Sequence, residues 1–176
     1  MSEQSKQPQH DPGPDGAEHR VLKLRHFMPY RLNHLAETVS RSFSKIYADK
    51  YGIGIPEWRV LATLGEHGSM AARDIGRETS MHKTKVSRAV SSLAEKGFLE
   101  RNRSLDDQRE QSLHLSKDGL ALYEDIVPKA LSYSEDLLDA LTEDQQAMLE
   151  DILDRLARAA DPTSMDRRSV KNRRQH

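Results

Sequence analysis

Thr84, Ser87, Arg88 and Ser91, with Lys83 and Lys85 beside them, are hydroxyls and cations that recur every three or four residues. Such groups at helical spacing can donate and accept hydrogen bonds along an edge, and they attract anions. Setting Val86 at 0° and advancing about 100° per residue puts Ser91 near 140°, Thr84 near 160°, Arg88 near 200° and Lys85 near 260°. Val86, Val90, Leu93 and Ala94 gather on the other side. One face is therefore apolar, and the opposite one carries hydroxyls and positive charge, with Glu95 adding negative charge only at the far end. Short hydroxyl side chains fit close to base edges in a major groove, while Arg and Lys reach guanine or phosphate. A merely solvated helix face is the competing reading, and the flanking elements decide between them.

The helix that must carry these residues spans 80–97. Ser80 offers a cap oxygen at its start, and Gly97 can take the left-handed conformation at its end. Before it, Ala71 to Glu78 reads as a short helix with Ile75 inward, joined by Thr79-Ser80. Two short helices around a tight turn, the second bearing the polar face, make a helix-turn-helix. After Gly97 the period changes from 3.6 to 2, in 98–103 and again in 111–115, around the charged segment 104–110. That is a two-stranded hairpin, placed as a wing.

Longer helices flank this centre. Leu32, Leu35, Val39, Phe43, Ile46 and Tyr47 define a helix from about Pro29 to Tyr51, ended by Gly52 and Gly54 and preceded by apolar Leu22, Leu24 and Phe27. Pro56 opens another, with Trp58, Leu61 and Leu64 inward and Gly65 to Gly68 stopping it. Ser116 caps a helix whose inward residues include Leu120, Tyr123, Ile126, Val127, Ala130 and Leu131, with Pro128 expected to kink it. Thr142-Glu143-Asp144-Gln145 is a capping box opening a last helix, which carries Met148, Leu149, Ile152, Leu153 and Leu156 and ends at Asp161-Pro162.

Charge is unevenly distributed along the 176 residues. Residues 70–117 hold 10 basic and 7 acidic side chains, whereas residues 118–160 hold 3 and 11. The basic middle is suited to a polyanion, and the acidic segment should face away from it. Residues 1–19, rich in Pro, Gly and Gln, read as a disordered arm, and residues 161–176 as a basic disordered tail able to touch nucleic acid nonspecifically. The chain has no cysteine, which excludes disulfides and thiolate chemistry. Its eight histidines form no i, i+4 pair with a carboxylate, so no metal site is expected. Phosphate-loop, nucleophile-elbow and paired His/carboxylate motifs are all missing, which argues against an enzyme and against a cofactor. The chain has no apolar run of membrane-spanning length and no basic start followed by an apolar stretch, so a cytoplasmic protein is expected.

Taken together, Met70-Ala71-Ala72-Arg73-Asp74-Ile75-Gly76, Lys83 to Val90, Leu93 to Leu99, Asp107-Gln108-Arg109 and Leu113 to Gly119 resemble, in order and spacing, the MarR family of transcriptional regulators. The likeness covers roughly residues 25–158. It implies a mainly α fold with a small β-hairpin wing. The domain would span 20–160, with a winged helix-turn-helix over about 55–117 and dimerisation helices over about 21–51 and 117–160. Also implied is a ligand-responsive homodimer on a pseudo-palindromic duplex. A repressor is the favoured form, and an activator or a winged-helix protein-interaction module without sequence-specific DNA binding are the alternatives. By position, Lys83, Thr84, Lys85, Ser87 and Arg88 would enter the major groove. Arg109 would reach the minor groove from the wing, oriented by Asp107, and Arg101 and Arg103 would approach phosphates. The family usually has Thr or Ser where this chain has Ala71, a loss of about 1 kcal/mol of helix capping.

The apolar faces of the first and last two helices exceed what a small winged helix can cover. A monomer would leave Leu35, Phe43, Leu137, Leu141, Ile152 and Leu156 partly wet, marking them as dimer-interface candidates. In the resembled family the effector lies between the dimerisation helices and the winged helix. Arg25, His26, Tyr30, Arg31 and His34, with Trp58 and Arg59, could supply cations for a carboxylate and rings for stacking. The alternative places Trp58 in the core and the histidines on the surface. The run 25–41 also looks similar to regulators of aromatic-acid catabolism, which implies a small anionic aromatic effector or its acyl-CoA thioester.

Overall fold

The structure, a computed structural model, describes residues 21–103 and 111–161. The expected arm (1–19), the centre of the wing with Asp107 and Arg109, and the tail beyond Asp161 lie outside the described residues. The chain divides into two compact units between Val39 and Ser40, inside the first long helix.

The first unit contains a short 3-10 turn, Leu24–His26, and the beginning of α1 (Met28–Tyr51). Pro29 sits in the first turn of α1, where a missing N–H costs nothing. Tyr30 and His34, one turn apart, stack with ring centroids 6.1 Å apart and planes at 2°. Leu22, Leu24, Phe27, Leu32 and Leu35 are all exposed in this unit.

The second unit holds the end of α1, then α2 (Ile55–His67), β1 (Met70–Ala71), α3 (Ala72–Glu78), α4 (Lys83–Glu95), β2 (Leu99–Arg103), β3 (Gln111–Leu115), α5 (Lys117–Leu138) and α6 (Glu143–Ala160). Its core comprises Tyr47, Ile53, Val60, Leu61, Leu64, Ile75, Val86, Leu93, Leu113 and Ile126, among others, which α1 to α5 and the sheet all supply. An aromatic group completes it. Tyr47 and Trp58 stack at 5.6 Å, and Phe43 lies edge-on to both, with Tyr133 5.3 Å from Phe43.

Several expectations need correction. The sheet has three strands, in the order β1-β3-β2, all antiparallel. Met70 pairs with Leu113 and Ala71 with Ser112, a two-residue bridge too short to show any periodicity. Gly65 does not stop α2. The helix continues to His67 and ends at Gly68, whose φ is +80°. Gly65 is instead an approach point, since a Cβ there would lie 2.4 Å from the Tyr123 ring. On α5, Leu120 and Leu131 are exposed, while Leu122, absent from the expected inward set, is buried. Pro128 lies inside α5, as expected, and the helix runs on to Leu138.

The caps behave mostly as the residue types require. Thr142 and Gln145 exchange hydrogen bonds: the Gln145 N–H donates to Thr142 Oγ1 at 3.3 Å and the Thr142 N–H to Gln145 Oε1 at 3.0 Å. The Gln146 side-chain amide donates to the Leu138 and Leu141 carbonyls, closing the α5–α6 turn. Ala71 occupies the N-cap of α3 in extended geometry and has no side-chain acceptor to offer. Ala71→Ser should therefore stabilise the domain by about 1 kcal/mol. The check is a thermal midpoint raised above the parent's, and an unchanged or lowered midpoint would show that the pairing with Ser112 does not tolerate the hydroxyl.

Candidate nucleic-acid interface

The polar ridge of α4 is positioned from behind. Val86, Ala89, Val90 and Leu93 are buried and hold the helix on the core, while Lys83, Thr84, Lys85, Ser87 and Arg88 are exposed. Ala94, expected on the apolar face, is half-buried, and Ser91 and Ser92 are half-buried as well. The predicted hydroxyl-and-cation face is thus real over the first two turns and recedes toward the C-terminal end.

The start of α4 differs from expectation. Ser80 is not its cap. Ser80 sits at φ 54° in the α3–α4 turn, and the helix begins at Lys83 with His82 as N-cap. The Thr84 N–H donates to His82 Nδ1 at 3.4 Å. The reason lies in Met81, whose side chain is buried and whose N–H donates to the Gly76 carbonyl at 3.0 Å. Anchoring Met81 inward forces the tight reversal at Ser80 and delays the first helical residue.

Hollows lie on both sides of the ridge. One, of about 510 Å³, is lined by Arg59, His82, Thr84, Lys85 and Arg88, with Glu57 and Pro56 from the start of α2. The other, of about 490 Å³, has Met81, Val86, Val90 and Leu113 in its lining, with Arg73, Lys83, Ser87 and Arg101 around them. A ridge of hydroxyls and cations standing between two cation-edged hollows can enter a groove of duplex DNA and leave room for the backbones on either side. Neither His82 nor Arg73 was picked out from the sequence for this role. A lone His before a helix is a weak signal, and Arg73 becomes relevant only through the packing of α3 beside α4.

Other polar contacts fix the surroundings. On α3, Asp74 accepts from Arg77 at 2.9 Å, with Arg73 Nε at 3.8 Å. On the wing strands, Glu100 and His114 face one another in register, with Nε2 to Oε2 at 3.3 Å. Arg101 is exposed on β2, paired opposite Leu113, and Arg103 pairs with Gln111 at the strand end. Ser116 joins the wing to α5. Its Oγ accepts the Gly119 N–H at 3.0 Å and donates to the Gly97 carbonyl at 2.6 Å.

Of the effector candidates, Arg25, His26, Tyr30, Arg31 and His34 are exposed in the first unit, where Tyr30 and His34 stack. Trp58 belongs to the second unit and packs on Phe43 and Tyr47, as a core residue would. Beside it the Tyr47 hydroxyl is buried, finds no hydrogen-bond partner among the described residues, and is pushed up to about 12, chiefly by burial against the opposing pull of Arg59. The interface candidates also divide. Leu35, Leu137, Ile152 and Leu156 are exposed, and Leu141 and Phe43 are half-buried, Phe43 with its ring against Tyr47, Trp58 and Tyr133. Among the described residues, no group of three or more metal-ligating side chains assembles, and no helix is long and apolar enough to cross a membrane.

A helix-turn-helix whose second helix projects a cationic hydroxyl face, backed by a three-stranded wing sheet, defines a winged-helix DNA-binding protein. Comparison with known proteins agrees. The MarR family model matches residues 51–110. YwoH of Bacillus subtilis (strain 168), an uncharacterised HTH-type transcriptional regulator, is 30% identical over 128 residues, 68% of this chain and 92% of that protein. A MarR/EmrR family regulator from Acinetobacter sp. ADP1 superposes with a TM-score of 0.72 at 28% identity, over 80% of this chain and 99% of that one. NadR in complex with 4-hydroxyphenylacetate shares the fold, with a TM-score of 0.62 at 21% identity over 82% and 98% of the two chains. The chain belongs to the MarR family of DNA-binding transcriptional regulators, and it is a regulator rather than an enzyme.

Proposed function

We propose that the protein is a homodimeric repressor that binds a pseudo-palindromic duplex and is released by a small aromatic acid or its CoA thioester. The observation that carries the DNA-binding part is the exposure of Lys83, Thr84, Lys85, Ser87 and Arg88 on one ridge, with Val86, Ala89, Val90 and Leu93 buried behind it. In this reading Thr84, Ser87 and Arg88 meet base edges and Lys83 and Lys85 meet phosphates. Arg101 and Arg103 approach the backbone from the wing strands, and Arg109, oriented by Asp107, enters the minor groove. The domain limits, 20–160 with the winged helix over 55–117, follow the same assignment.

Dimerisation is supported by the apolar side chains that the protomer leaves uncovered, including Leu131, Leu137, Met148, Ile152, Leu153 and Leu156 on α5 and α6 and Leu35 on α1. Twofold symmetry would set the two α4 ridges about 34 Å apart, one turn of DNA. The effector class draws support from the cations and rings at 25–34 and from the bound 4-hydroxyphenylacetate of a protein with the same fold.

The test uses a duplex selected from a random-sequence pool by the parent protein. Arg88→Ala should weaken binding to it by roughly 1–3 kcal/mol and relax preference at one base position. Arg109→Ala should weaken binding while leaving major-groove preference unchanged. If both variants bind this duplex as the parent does, the assignment of the ridge and wing is wrong. Calorimetric titration with hydroxycinnamates, benzoates and their CoA esters tests the effector, and silence across that panel would end the aromatic-acid reading.

A further inference from the structure

Two polar ties run in series from the middle of α5 to the far end of α4. In the first, Asp125 on α5 accepts from Lys50 Nζ at 3.2 Å and from the Tyr51 hydroxyl, both in the last turn of α1. Lys129, one turn along α5, donates to the same carboxylate oxygen at 2.6 Å. In the second, Lys96, the C-cap residue of α4, donates Nζ to the Gly52 carbonyl at 2.7 Å and to Ser92 Oγ at 3.1 Å. Tyr51 and Gly52 are neighbours in the chain, so α5 grips one and α4 the other.

The turn between the two grips is a firm one. Gly52 adopts φ +62°, its N–H donates to the Ala48 carbonyl at 2.8 Å, and Ile53 immediately after it is buried in the core. The Asp125 carboxyl is held below its ordinary range by hydrogen bonds from Lys129 and then Lys50, so it carries charge at neutral pH. Ties between exposed charged side chains add little to stability. What they do add is direction. Each crosses between elements, the first through side chains on both ends and the second from the Lys96 side chain to the Gly52 backbone carbonyl.

We infer that Asp125, the Tyr51–Gly52 turn and Lys96 form a strut that sets the pose of α4 relative to α5, which makes Lys96 and Asp125 positioning residues for DNA binding. The inference rests on the reading of α4 as the DNA-contacting helix. In a symmetric dimer each α4 must meet its half-site in register with the other, so a helix loosened at its C-terminal end loses affinity and tolerates wrong half-site spacing.

The experiment measures the full-length chain by fluorescence anisotropy on the duplex selected by the parent, and on versions with half-sites moved by about one base pair either way. Lys96→Met keeps the stem and removes the donor. It should weaken binding by about three- to tenfold and flatten the spacing preference, the scale typical of residues that couple sites without touching ligand. Lys96→Arg, which restores a donor, should recover most of the loss. Asp125→Ala should act like Lys96→Met, and the double variant should be no weaker than the weaker single, because a strut cut once is already lost. A Lys96→Met variant with the parent's affinity and spacing profile overturns the inference. So do losses in the two single variants that simply multiply in the double. Arg88→Ala, run alongside, separates the two levels. Its binding like the parent would overturn the reading of α4 itself, whereas its loss beside an unaffected Lys96→Met would overturn only the strut.

Discussion

Gly119→Ala is expected to destabilise the domain by about 3 kcal/mol or more, at the upper end of what an overpacked methyl costs. A Cβ at this position would lie 1.9 Å from the Phe98 carbonyl oxygen and 2.9 Å from its carbon. Both are backbone atoms, so no side-chain rotation can relieve the clash. The neighbourhood is also heavily bonded. The Phe98 carbonyl accepts the Ser116 N–H at 3.1 Å, and Ser116 caps α5 through the Gly119 N–H itself. Making room for one methyl group means moving the start of α5 away from the turn that leads from α4 into the wing, and several of these bonds move with it. Chemical denaturation at fixed protein concentration reads the effect as a fall in midpoint with the slope preserved. A loss below about 1 kcal/mol would mean that the two segments separate easily. Gly97 offers a contrast: its φ is +76° but an added Cβ would meet nothing within 4 Å, so substitution there strains only the backbone.

The expected fold and the observed one agree where periodicity is strong. Helical spacing located α1, α2, α4, α5 and α6, and the change to period 2 located β2 and β3, because buried faces impose those periods on the chain. The errors share a physical origin in contacts between elements distant in sequence. Met70 and Ala71 become a strand only because Leu113 and Ser112 lie beside them. Ser80 loses the cap to His82 because Met81 is drawn into the core. Gly65 resembles a helix stop until Tyr123, 58 positions later, is found against it. Leu120 and Leu131 satisfy an inward pattern on α5, yet only part of that helix is covered by the rest of the chain.

The ridge itself was more legible than its support. Thr84, Ser87 and Arg88 stand exposed as their wheel positions required, since a helix docked through Val86, Val90 and Leu93 has no other way to face. The hollows beside it draw Arg59 from α2, His82 from the N-cap of α4 and Arg73 from α3, an assembly that no local spacing encodes. Of the effector candidates, Tyr30 and His34 stack and the others at 25–34 are exposed, while Trp58 packs with Phe43 and Tyr47 through contacts its own segment does not encode.

Leu93→Ala carries the second large effect and separates support from contact. Leu93 is fully buried at the back of α4, within the shared core, and its carbonyl accepts the Phe98 N–H where the helix gives way to the wing. Truncation removes three carbons and leaves a cavity bordered by residues that other elements hold in place, so about 2–5 kcal/mol of stability should be lost. Native domains hold only about 5–15 kcal/mol in reserve, so the variant should unfold at much lower denaturant than the parent. The groups proposed to face DNA are untouched. In cool, low-denaturant buffer, where the variant remains folded, its base preference on the selected duplex should match the parent's. Arg88→Ala should show the reverse, with a parental unfolding midpoint and altered base preference. A Leu93→Ala variant that keeps its stability would remove this side chain from the core account. One that folds fully yet reads a different base sequence would mean that the polar ridge is not positioned by the apolar face behind it.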